Sequence, residues 1–157
     1  MAETQIRTLH AEAQPPRHRI RFKARGASLG LDAASSAELI RKLERGFAFD
    51  ALQSLASQSG IAVSRLAAIL AIPERTLARR KTSGRLTLDE SERLLRIANV
   101  FEKAVELYEG DVAAAVNWLT MPKKALDNHI PLDYSRTELG AREVENLIGR
   151  LEHGVFS

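Results

Sequence analysis

The stretch "IPERTLARRKTSGR", Ile72 to Arg85, sets Arg75, Arg79, Arg80, Lys81 and Arg85 against a single acid, Glu74. Pro73 opens it and Gly84 all but closes it, which is the punctuation of a short helix. An exposed helix of this composition suits one kind of chemistry. A guanidinium is a planar fork of donors that matches guanine O6 and N7, and a threonine can meet a thymine methyl or a phosphate. Arg75, Thr76, Arg79 and Arg80 are therefore expected to face solvent as base readers. Lys81 and Arg85 sit at the helix end and suit phosphates, which set affinity and register rather than sequence. The competing reading is a solvated cationic face on an ordinary packed helix.

Other constellations carry little. The histidines His10, His18, His129 and His153 have no second ligand at metal-binding spacing. Asp89, Glu90 and Glu92 fall in a first helical turn, where carboxylates suit the positive end of the dipole better than acid/base work. Trp118, Phe101 and Tyr108 recur as an apolar stripe and are expected in the core. Ser83-Gly84 and the isolated glycines make no phosphate loop. No Ser–His–Asp set can be assembled. The chain is expected not to be an enzyme, with no metal, cofactor or small-molecule substrate.

The elements that must position the basic helix read as helical from Ser35 onward. Ser36 is a candidate N-cap for "AELIRKLERG", and "FDALQSLASQSG" runs to Gly60. Ser64 can cap "SRLAAILA", so residues 64–81 read as helix, three-residue turn, helix. Leu66, Leu70, Ile72 and Leu77 supply its apolar contacts. Two positions depart from the usual pattern. Ala71 stands where glycine is common in the turn, and Arg80 falls where such motifs favour an apolar residue. Thr87 with Glu90 forms a capping box for a long helix to Gly110. Asp111 caps "VAAAVNWLTM", "DNHIPLDYSRTELG" reads as an irregular connector, and "AREVENLIGRLEHG" is the last helix. The expected class is all-α. Residues 1–34 read as a flexible basic arm, in which "RIRFKA" alternates enough for a short strand. Residues 35–86 read as the helix-turn-helix region and residues 87–157 as a helical domain.

The net charge of +3 conceals an asymmetry. Residues 1–85 hold 15 Lys/Arg against 7 Asp/Glu, and residues 86–157 hold 8 against 13. A basic first half and an acidic second half suggest different partners. There is no cysteine, which excludes disulfides and thiolate metal sites and suits a reducing compartment. Neither a secretory apolar run nor a membrane span is legible, so a soluble cytoplasmic protein is expected. A lone motif of this size usually binds DNA as a dimer on two half-sites, so a homodimer is expected with DNA binding.

Three runs together resemble a known family: "RTLARRK…GRLTLDESERLLRIA", "DVAAAVNWLTMP" and "LGAREVENLIGRLEHGVFS". They resemble the Xre-type antitoxins of RES–Xre toxin–antitoxin pairs, a group that includes the MbcA and ParS antitoxins. The resemblance covers roughly residues 45–157. It implies an Xre/Cro-like DNA-binding region that represses its own promoter, joined to a helical toxin-binding domain. It implies a RES-domain toxin as partner, an enzyme that consumes NAD⁺ and is blocked by the antitoxin's C-terminal segment. The family's terminal motif falls on Gly140, Ala141, Val144, Leu147, Leu151, Gly154, Val155 and Phe156. The toxin-binding residues it implies are Arg142, Glu145, Gly154, Val155, Phe156 and Ser157. Two other readings stay open: a stand-alone dimeric helix-turn-helix regulator, and an inhibitor that no longer binds DNA.

Overall fold

The computed structural model describes residues 19–154. Helices α1 (Ser36–Glu44), α2 (Phe49–Ser59), α3 (Val63–Ile69) and α4 (Glu74–Ser83) lead into the long α5 (Leu88–Leu107). Then follow α6 (Val112–Leu119), the short α7 (Pro131–Tyr134) and α8 (Glu138–Glu152), with 3-10 turns at Ala27–Leu29 and Lys124–Leu126. Among the described residues the only β pairing is in isolated bridges, such as Arg19 with Asp111. The class is all-α, as expected.

Helix α5 is the axis. It packs on α6 and α8 and also on α1, α2 and the first 3-10 turn. Leu94, Ala98, Val100 and Ala104 are fully enclosed along it, and Phe101 is 1% exposed. Its apolar positions recur every three to four residues, so one broad stripe meets both halves of the chain. Buried side chains from Leu29 to Ile148 form one continuous core.

Caps set several boundaries. The Thr87 hydroxyl accepts from the Glu90 N–H at 3.2 Å, and the Glu90 carboxylate accepts from the Thr87 N–H at 2.9 Å. Asp111 accepts from the Ala114 N–H to start α6. Other expectations shift. Ser35, not Ser36, caps α1. Helix α3 starts at Val63 without a side-chain cap, so Ser64 lies inside it. Pro73 precedes α4 rather than opening it. Helix α8 begins at Glu138, capped by Thr137, and the expected irregular connector contains α7. The entry into α8 depends on Gly140, where a Cβ would overlap the Tyr134 carbonyl oxygen.

Residues 19–34, expected within a flexible arm, are packed instead. Phe22 sits 5.6 Å from Phe101, ring to ring, and the Ile20 N–H donates to the Gly110 carbonyl at 2.9 Å. The Glu102 carboxylate accepts from the Gly26 and Ser28 N–H groups and from the Ser28 hydroxyl at 2.6 Å. These contacts tie the segment to α5 across more than seventy residues of sequence. The earlier part of the arm, residues 1–18, lies outside the described residues, as do Val155, Phe156 and Ser157.

Candidate functional site

Helices α3 and α4 form the helix-turn-helix. Leu66, Ile69, Leu70 and Ile72 are buried and anchor α3 and the turn. The turn passes through Ala71 at φ 54°, so alanine here takes the left-handed conformation that glycine usually supplies. Helix α4 itself has no fully buried residue. Leu77 rests partly against the core, and polar contacts do the rest of the holding.

The main one is an ion pair. Arg80 Nε donates to both Glu90 carboxylate oxygens, at 3.0 and 2.8 Å, with the Glu90 side chain 7% exposed. Burial pushes the Glu90 carboxyl up, but the hydrogen bonds from Arg80 and Thr87 outweigh it, and the carboxyl titrates below its ordinary range. The same hydrogen bond raises the Arg80 guanidinium further above its already high value. Arg80 therefore does not stand free in solvent as expected. The position is half-buried, and this chain fills it with a paired charge. Arg85 is likewise engaged. Its guanidinium donates to the Gly46 carbonyl at 2.7 Å and closes the end of α1.

Arg75, Arg79 and Lys81 remain exposed, with no hydrogen bond or ion pair among the described residues, and Thr76 is half-buried between them. Arg75 and Arg79 are one helical turn apart on α4, so both forks can project from one face. Three cations of the stretch thus stay unpaired rather than five, and Lys81, two residues beyond Arg79, sits on another side of α4. Sequence reasoning missed that Glu90 holds α4. The capping box pointed to Glu90, but only as a cap and a dipole partner, while its other oxygen contact comes from Arg80.

The second set of expected residues lies on α8. Arg142 is exposed and 3.7 Å from Glu138. Glu145 is half-buried and pairs with Lys103 of α5 at 3.0 Å. Gly154 is exposed just past the helix. Ala141, Val144, Leu147 and Ile148 turn inward and fasten α8 to the core. The expected motif residues on α8 therefore divide into an inner row that packs and an outer row open to a partner. Among the described residues no group of His, Asp or Glu is placed to hold a metal ion. No helix among them is long and apolar enough to cross a membrane.

Two family models match the chain. Residues 38–99 match the antitoxin Xre-like helix-turn-helix domain, and residues 103–154 match the antitoxin Xre/MbcA/ParS C-terminal toxin-binding domain. Three relatives bear the name antitoxin Xre. That of Yersinia enterocolitica is 38% identical over 146 residues, which are 92% of this chain and 99% of the relative. That of Photorhabdus laumondii is 32% identical, covering 90% of this chain and 97% of the relative. That of Pseudomonas putida is 30% identical, covering 78% and 76%. With α3 and α4 forming a helix-turn-helix inside the first matched stretch, and α6 and α8 inside the second, this chain belongs to the Xre antitoxin family.

Proposed function

We propose that the chain is the antitoxin of a type II pair whose partner is a RES-domain toxin that degrades NAD⁺. The segment after Gly154, with Val155, Phe156 and Ser157, occludes the toxin's active site, and Arg142 and Glu145 on α8 flank the contact. The exposed Arg75, Arg79 and Lys81 of α4, with the half-buried Thr76, bind promoter DNA, and a homodimer represses the operon that encodes both proteins. Arg80 and Arg85 serve that surface by holding α4 and its exit in place. Residues 35–86 act as the DNA-binding region and residues 87–157 as the toxin-binding region. The protein works in the cytoplasm, without cofactor or metal, and catalyses nothing itself.

The observation that carries this reading is the pairing of two surfaces on one axis. At the start of α5, α4 leaves three cations unpaired. Along the rest of α5, α8 turns its outer row outward in the stretch matched to toxin-binding domains. Co-expression with the protein encoded by the adjacent gene tests it. The expected result is a stable complex by size exclusion that also retards a promoter fragment in a gel. A chain that retards the fragment but never binds its neighbour would instead be a stand-alone regulator.

A further inference from the structure

A furrow runs along α5, with Arg142 and Glu145, which the proposed function sets beside the toxin contact, on its α8 side and residues 19–25, which that reading leaves unused, on the other. One stretch of about 1260 Å³ lies between residues 19–25 and α5, and another of about 460 Å³ lies between α1, α5 and α8. Arg25, Asn99 and Glu145 line both, so they form one channel. From Glu92 to Glu106 its floor follows α5 for about 21 Å at the helical rise. An extended chain of about six or seven residues covers that distance.

Three features say what fits. The first is a free backbone edge. Residues 20–23 run without helix or turn up to the bend at Ala24, and among the described residues the N–H and C=O groups of Arg21, Phe22 and Lys23 have no hydrogen-bond partner. The second is Asn99. It is 6% exposed, and its Oδ1 has no partner. A side-chain amide carries the donor and acceptor of a peptide group, so by rotating it can pair with the backbone of an extended segment. The third is charge. Glu109 pairs with Arg19, Glu145 with Lys103, and Glu102 is saturated by Gly26 and Ser28. Arg21, Lys23 and Arg25 are exposed and without an ion pair among the described residues, against Glu92 and Glu106 on the α5 side.

We infer that this furrow docks an extended, acidic segment of a partner protein. Its backbone pairs with the edge of residues 21–23 and with the Asn99 amide, and its carboxylates meet Arg21, Lys23 and Arg25. DNA suits it less, because a phosphate backbone offers no donor to the free carbonyl groups of residues 21–23 or to Asn99 Oδ1. The wall formed by residues 19–25 lies outside both stretches matched by the family models.

The test is an NMR titration of the full chain with a seven-residue peptide of alternating glutamate and valine. The same peptide with glutamine for glutamate and a single-stranded oligonucleotide serve as comparisons. The glutamate peptide is expected to shift the amides of residues 21–25 and the Asn99 side-chain amide. The glutamine peptide should bind at least tenfold more weakly, as should the glutamate peptide to the surface double variant Arg21→Glu, Lys23→Glu. Equal binding of both peptides, an unmoved Asn99 amide, or tighter binding of the oligonucleotide at these residues would overturn the proposal. No toxin enters the titration, so the outcome is independent of which enzyme the chain restrains.

Discussion

Arg80 and Glu90, ten residues apart, join the end of the exposed helix α4 to the first turn of α5 through two contacts of 3.0 and 2.8 Å. The same carboxylate caps α5 by accepting from the Thr87 N–H. One side chain thus fixes the start of the long helix and the angle at which α4 leaves it. Because α4 buries no residue fully, that angle rests on this pair, on Leu77 and on the turn at Ala71.

Removing the cation leaves a buried carboxylate with fewer partners. Arg80→Ala is expected to cost about 2–3 kcal/mol, below the usual figure for breaking a buried pair because Arg80 retains some exposure. Urea midpoints check the size. Promoter affinity should fall as well, although Arg80 does not face the open side of α4. An unchanged midpoint would mean that the pair contributes nothing net.

The pair also gives stability a pH dependence of definite sign. The Glu90 carboxyl titrates below its ordinary range in the folded chain. Its contribution is fully present above the unfolded carboxylate value of about 4.3, and it is lost as pH falls from there through the lower folded value. Glu90→Gln should therefore be less stable at neutral pH and show a shallower loss between about pH 4.3 and the acid limit. Parallel pH profiles for the two proteins would contradict this.

Two backbone positions should respond in opposite directions. Ala71→Gly relieves a left-handed alanine and is expected to stabilise by up to about 1 kcal/mol, net of glycine's greater unfolded-state entropy. Gly140→Ala forces a Cβ into the Tyr134 carbonyl and should destabilise by about 2–4 kcal/mol. Gly149, which has nothing near its would-be Cβ, is the control, and its alanine variant should gain about 0.5–1 kcal/mol. Thermal melts of the three variants decide the order.

On DNA, the open cations divide by role. Arg75→Ala or Arg79→Ala should cost about 1–3 kcal/mol on the true promoter and blur its distinction from scrambled sequence. Lys81→Ala should weaken both alike and reduce the salt slope by about one. Fluorescence anisotropy at several salt concentrations separates these patterns. Identical behaviour of all three variants on both sequences would make α4 a phosphate clamp without readout.

Much of this was legible in the residues. The Thr87–Glu90 box and the Asp111 cap are local signals, and both helices start where those residues place them. Long apolar periodicity gave α5 and the inner row of α8. What escaped was non-local. Ile20 and Phe22 make too short an alternation to announce docking, and the Glu102 that holds Gly26 lies 76 residues away. Arg80 looked like a DNA contact because composition does not say which way a guanidinium points, and its partner sits beyond a turn. Alanine at 71 hid a left-handed turn, since that conformation is expected of glycine. The start of α8 was placed three residues late because Thr137 reads as connector until Gly140 lets the chain approach Tyr134.

The most direct test of the account is enzymatic. A chain truncated after Gly154, lacking Val155, Phe156 and Ser157, is co-purified with the protein encoded beside it, and that protein is assayed for NAD⁺ loss. The account predicts that the complex still forms but NAD⁺ is consumed, whereas the full chain holds the enzyme silent. A truncated chain that binds and still silences the enzyme would contradict it.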